Sequence, residues 1–135
     1  MSTRLETVGP RTSVRALQRL FASHGFNAFP VVDDAGRLLG IVTKLDLLRI
    51  FRHDRARRRP RLSELFAEYV EDIMRRRVIT VGPRDALATV VDLMLSSRLR
   101  SLPVVERHGR TAVLVGMVSR GDLMEALILD DDHDR

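Results

Sequence analysis

Apolar residues recur along this 135-residue chain in two rhythms, and the rhythms come twice in the same order. Val14, Leu17, Leu20 and Phe21 fall at helical spacing behind Thr12 and Ser13, either of which suits an N-cap. Two short apolar runs follow, AFPVV (28–32) and LLGIVT (38–43), which read as strands joined by a turn at Gly36, and KLDLL then opens a second helix. From residue 85 the order returns. Asp85 is placed to cap a helix over ALATVVDLMLSS (86–97), a strand pair flanks Gly109, and the last helix contains LMEALIL (123–129). These last two helices are apolar on more than one face, so each needs two surfaces to bury against, and self-association into a homodimer is expected.

The correspondence is literal in places. TVGPR occupies 7–11 and again 80–84, an offset of 73, and the same offset carries FPVV (29–32) onto LPVV (102–105). Between Gly40 and Gly116 the offset is 76, so the second copy holds three extra residues within ERHGRTAVL, and a hairpin loop is where they are expected. Each copy therefore predicts a short extended piece closing on Pro10 or Pro83, a helix, two strands and a second helix. The expected fold is α/β: a small mixed three-stranded sheet with two packed helices, twice. A repeat of roughly 60 residues buries little surface alone, so the copies are expected to pair about a pseudo-twofold axis. The divisions are 1–54 for the first motif, 55–69 for a linker and 70–135 for the second motif with its tail. Within RLSELFAEYVEDIM (61–74), Leu62, Leu65, Phe66 and Tyr69 recur at helical spacing and predict a connecting helix. Met1 falls opposite Met74, so the first copy has no counterpart to residues 70–73.

Composition narrows the chemistry. The chain is 44% hydrophobic with no Trp and one Tyr, which predicts an aliphatic core, and it has no Cys, which removes disulfide and thiolate chemistry and fits a reducing compartment. No signal-peptide pattern opens the chain, and no apolar run reaches the roughly 18 residues of a membrane span, so a cytoplasmic protein away from membranes is expected. The net charge of +5 is carried almost wholly by arginine, Lys44 being the sole lysine. RHDRARRRPR (52–61) lacks interleaved aromatics and is interrupted by Pro60, so Arg55, Arg57, Arg58, Arg59 and Arg61 read as a solvated linker and not as a nucleic-acid surface. The acidic DDDHDR (130–135), with His133 among its carboxylates, reads as a disordered terminus. Four scattered histidines (His24, His53, His108, His133) and no recurring acid pair argue against an enzyme.

One pair of stretches carries specific chemistry. GIVTKLDLL (40–48) and GMVSRGDLM (116–124) each end an apolar strand in a hydroxyl, Thr43 or Ser119, and place a carboxylate, Asp46 or Asp122, three residues later at a helix start. A carboxylate accepts two hydrogen bonds at once and suits the two hydroxyls of a ribose, while a hydroxyl beside freed backbone N–H groups at a helix N-terminus suits a phosphate. Lys44 and Arg120 add positive charge. The same spacing is also an ordinary capping box. What favours a site is the recurrence of the whole ordered set: TVGP, then a hydrophobic residue with Pro-Val-Val, then Gly-x-Val-[Thr/Ser]-x-x-Asp-Leu.

On these motifs the chain resembles a pair of CBS domains, the tandem unit called a Bateman module, over nearly its whole length. The resemblance implies clefts between the repeats that take an adenosine-containing ligand: AMP, ADP, ATP or S-adenosylmethionine, with no obligatory cofactor and no metal. It implies that Asp46 and Asp122 hold ribose, Thr43 and Ser119 meet phosphate, and Thr7 and Thr80 line the pockets. Backbone at Asn27 to Phe29 and Arg100 to Leu102 would face the base. The expected function is non-catalytic ligand sensing, signalled by conformational change to an effector protein, to a missing portion of the chain or through dimerisation itself. The alternative is a structural dimerisation module whose nucleotide pockets are vestigial.

Overall fold

The computed structural model describes residues 6–52 and 69–133. They gather into two compact units, one from Glu6 to Val78 and one beginning at Ile79. The arginine-rich run beyond Arg52, with Leu62, Leu65 and Phe66, lies outside the described residues.

In the first unit the chain forms α1 (Val14–Ser23), β1 (Ala28–Val32), β2 (Leu38–Thr43) and α2 (Lys44–Arg52). Strands β1 and β2 are an antiparallel hairpin, from Ala28 opposite Thr43 to Val32 opposite Leu38. The extended piece before α1 adds a third line, because Val8 lies parallel to Val31, donating to Pro30 O at 3.1 Å and accepting from Val32 N–H at 2.9 Å. The sheet is thus mixed, as the repeat pattern predicts. Val8, Val31 and Val42 from the sheet meet Leu17 and Phe21 from α1 and Leu47 from α2 in one buried cluster that also holds Phe29, so this core is not the purely aliphatic one that the composition predicts. At the hairpin turn, Asp33 accepts the N–H groups of Ala35 and Arg37, both at 2.9 Å, and Arg37 Nε at 2.6 Å. The Arg37 backbone bond is the main cause that holds the Asp33 carboxyl below the ordinary aspartate value.

Residues 69–76 do not continue a connecting helix. Tyr69 bridges Ser13, Val70–Asp72 is a single 3-10 turn, and Arg75 bridges Ile41. The N–H of Val70 is donated to Thr12 O at 2.8 Å and that of Glu71 to Pro10 O at 2.9 Å, so backbone groups that a helix would pair locally are paired with the first motif instead. Val70 is fully buried there, with Ile73 and Met74 packed against the same cluster. A segment that opens the second repeat in sequence is, in space, part of the first unit.

The second unit repeats the order as α3 (Leu87–Ser97), β3 (Ser101–His108), β4 (Thr111–Ser119) and α4 (Arg120–His133). Val81 lies parallel to Val104 as Val8 does to Val31, and the ladders of both hairpins are interrupted at the matching place, Val31/Val32 and Val104/Val105. The three extra residues do not enlarge a loop. The β3–β4 ladder runs on to His108 opposite Thr111 and closes over Gly109 and Arg110, with Gly109 at φ 66°, whereas β1–β2 is joined by the longer 33–37 segment. Pairing across the ladder satisfies inward-facing backbone groups that a loop would leave to water, so the insertion lengthens the hairpin. Helix α4 also continues through His133, past the point where a disordered acidic terminus was expected, and no Gly or Pro interrupts residues 123–133. Among the described residues no helix is long and apolar enough to cross a membrane.

Comparison of the two helix starts isolates one missing cap. Thr12 Oγ1 accepts the Gly9 N–H at 3.0 Å and, 73 residues on, Asp85 Oδ2 accepts the Gly82 N–H at 2.8 Å, so both side chains close the Gly-Pro turn. Asp85 therefore does not cap α3. In α1 the cap is Ser13, which accepts from Ala16 N–H at 3.0 Å; its counterpart is Ala86, with almost the same backbone (φ −63°, ψ 142° against −69°, 149°) and no side-chain bond. Ala86→Ser is expected to stabilise the second unit by about 1 kcal/mol. Urea unfolding that gave no gain would show that the α3 start is already satisfied by water.

Candidate functional site

Each hydroxyl–carboxylate pair sits where a strand hands over to a helix. Thr43 and Ser119 are the last residues of β2 and β4, and Asp46 and Asp122 fall in the first turns of α2 and α4. In the first motif, Asp46 Oδ2 accepts the Thr43 N–H at 2.9 Å while the Asp46 N–H is donated to Thr43 Oγ1 at 3.2 Å. In the second, Asp122 Oδ2 accepts the Ser119 N–H at 2.9 Å and the Asp122 N–H is donated to Ser119 Oγ at 3.2 Å. Both pairs are reciprocal capping boxes. That geometry uses one oxygen of each carboxylate and leaves the other, with two lone pairs, for a further role.

Beyond the box the two motifs differ. Thr43 also donates its hydroxyl proton to Asp46 Oδ2 at 2.9 Å, and Asp46 Oδ1 accepts from Arg49 Nη1 at 3.2 Å and from Arg75 Nε at 3.1 Å. Asp46 is only 4% exposed, the one buried charged residue among those described. Asp122 is half-buried, and among the described residues its Oδ1 has no partner and the Ser119 hydroxyl gives its proton to none. A polar hydrogen and a carboxylate oxygen that no described residue engages thus stand at the start of the 14-residue α4, where the helix dipole favours an anion.

The other residues singled out by sequence are placed differently from one another. Asn27 O accepts the Lys44 N–H at 3.1 Å and Arg100 O accepts the Arg120 N–H at 3.0 Å, so the segments preceding β1 and β3 are tied to the junctions by main chain. Phe29 and Leu102 point into their cores, 1% and 0% exposed, and have only backbone to offer a ligand. Arg120 is turned back: its Nε reaches Leu99 O at 3.1 Å and its Nη2 reaches Arg98 O at 3.2 Å. It thereby steadies the left-handed Arg98 (φ 58°) that ends α3. Lys44 is exposed, as is Thr7. Thr80 accepts from Arg107 Nη2 at 3.4 Å and lines an open cleft of about 510 Å³ with residues 81–85 and 105–108, a set that does not include Ser119 or Asp122. Sequence reasoning missed Arg49 and Arg75 as partners of Asp46. Arg49 follows at helical i,i+3 spacing and was open to detection; Arg75 lies 29 residues away and was not.

Comparison with known proteins agrees with this architecture. The family model described as CBS domain matches residues 1–53 and 70–129. A CBS domain-containing protein of Dictyostelium discoideum is 30% identical over 131 residues, covering 95% of this chain and 88% of its own length. An inosine-5'-monophosphate dehydrogenase of Korarchaeum cryptofilum is 33% identical over 118 residues, but the chain spans only 21% of that enzyme, and it spans 41% of an uncharacterised protein of Methanocaldococcus jannaschii. Among solved structures, CBSX2 in complex with AMP superposes with a TM-score of 0.80 at 28% identity, covering 97% of this chain and 94% of that one. CBSX2 from Arabidopsis thaliana also matches with a TM-score of 0.80, at 29% identity, over 98% and 93%. With matches on both sides of residues 54–69 and both motifs folded alike, the chain belongs to the CBS domain family, as a tandem pair.

Proposed function

We propose that this chain is a non-catalytic regulatory module that takes an adenosine-containing ligand at the β4–α4 junction. The observation that carries this reading is the unengaged pair there: the Ser119 hydroxyl suits a phosphate, and Asp122 Oδ1 suits the ribose diol. Backbone at Arg100–Leu102 would meet the base. The similarity to CBSX2, whose structure holds AMP, supports an adenine nucleotide. ADP, ATP and S-adenosylmethionine share the same adenosine. Binding acts by favouring one of two conformations, because a ligand moves an equilibrium only by its differential affinity, and an effector reads the change.

A homodimer belongs to the same proposal. Leu45 and Leu48 on α2, Leu95 on α3, and Met124, Leu127 and Ile128 on α4 are exposed, which supports covering of these helices by a second copy. The same residues support the second reading, a dimerisation module whose capping boxes have no ligand. Calorimetric titration with AMP, ATP and S-adenosylmethionine separates the two: saturable binding of at least one is expected, and heats no larger than dilution for all three would leave the dimerisation reading. Light scattering on the same samples is expected to give twice the chain mass, and a concentration-independent monomer would remove the self-association.

A further inference from the structure

We infer that the two motifs are not equivalent, and that Arg75 is the reason: its guanidinium occupies, within the chain, the carboxylate oxygen of Asp46 that a ribose would need. This rests on the reading of Asp122 as a ribose acceptor. Asp46 Oδ2 already accepts the Thr43 N–H and the Thr43 hydroxyl; Oδ1 already accepts Arg49 and Arg75. Four donors saturate a carboxylate. A ribose diol offers two neutral donors and would have to displace charged ones, which bind a carboxylate more strongly. The Thr43 proton is engaged as well, so the group that would meet the phosphate is withdrawn together with the one that would meet the sugar.

The side chain of Arg75 is held in place by its own backbone. Arg75 N–H is donated to Ile41 O at 2.8 Å and its carbonyl accepts the Ile41 N–H at 2.9 Å, which anchors Arg75 beside the end of β2, two residues before Thr43. Residue 75 therefore serves as a specificity-determining position. The ion pair clasps segment 69–76 to the first motif and leaves one adenosine site per chain, at Asp122. The residue 73 positions before Arg75 is Ser2, which carries no cation, so the first copy offers no guanidinium at the matching point of its sequence.

The test uses the full chain and AMP as the probe, with thermal unfolding in parallel. Calorimetry is expected to give one AMP per chain. Asp46→Asn is expected to keep that stoichiometry and an affinity within about twofold of wild type, while lowering Tm by roughly 5 °C because a buried carboxylate loses its charge pairing. Asp122→Asn is expected to weaken AMP about tenfold or more with a smaller change in Tm. Two AMP per chain, one of them lost in Asp46→Asn, would overturn the inference and leave the nucleotide-binding reading standing. If the wild type binds no adenosine ligand, the functional reading fails, and the clasp is decided by Tm alone. Asp46→Asn and Arg75→Gln are then expected to be coupled, the double variant melting no lower than the worse single one; additive shifts would sink the clasp.

Discussion

Gly40→Ala is expected to destabilise the first unit by about 3–5 kcal/mol, the sum of an overpacking cost of about 1–3 and the loss of two backbone hydrogen bonds at about 1 each. A Cβ on Gly40 would lie 2.6 Å from the Arg75 carbonyl oxygen, with Met74 Sδ at 3.1 Å and Met74 Cγ at 3.3 Å. The Met74 side chain has rotamers to retreat into. The Arg75 carbonyl has none, because it accepts the Ile41 N–H at 2.9 Å and is fixed by the reciprocal bond at 2.8 Å. Alanine must therefore push residues 74–76 away from β2, and Arg75 Nε leaves Asp46 with them. Gly25→Ala is the control, since nothing lies within 4 Å of its added Cβ, and a change within about 0.5 kcal/mol is expected there. Equal urea midpoints for the two variants would mean that segment 69–76 is not bound as tightly as its hydrogen bonds indicate.

Asp122→Ala is expected to weaken AMP by about 1.5–3 kcal/mol, the scale of hydrogen bonds to a charged group. Because Asp122 also closes the capping box with Ser119, the same change removes a cap worth about 0.5–2 kcal/mol of stability, so a lowered Tm does not by itself distinguish a ligand role from a structural one. The sugar does. Wild type is expected to prefer AMP to 2′-deoxy-AMP, since the deoxy sugar leaves Asp122 Oδ1 short of one donor, and Asp122→Ala is expected to bind the two alike. Equal affinities in the wild type would withdraw the ribose role from Asp122 and leave it a helix cap.

The strands AFPVV and LLGIVT were legible to the residue, because their apolar runs are bounded by turn residues and end at a hydroxyl. The hairpin extension was not. Glu106, Arg107 and His108 are polar residues next to a glycine and read as loop, yet each pairs across the ladder with Val113, Ala112 and Thr111. An exposed strand pair needs backbone partners and not burial, so hydrophobic pattern is blind to it. The reciprocal bonds at the two junctions were legible as a spacing, and the repeat singled them out. What separates Asp46 from Asp122 was not: it depends on a contact made through the Ile41–Arg75 bridge, which no local periodicity encodes. The helix expected up to residue 74 failed for the same reason, since the Val70 and Glu71 N–H groups find carbonyls near residue 11 and not four residues back.

The placement of Val70 in the first core sets an order of events during synthesis. A chain emerging from the ribosome has β1, β2 and both helices of the first motif in hand by Arg52, yet the cluster that should close over Leu17 and Val31 still lacks Val70, and Ile41 still lacks its partner. Those arrive only after residues 53–68 have been made. The nascent first motif therefore waits, with part of its apolar cluster uncovered, until residue 75 is clear of the exit, so the spacing of that arginine-rich stretch becomes a delay between translation and folding.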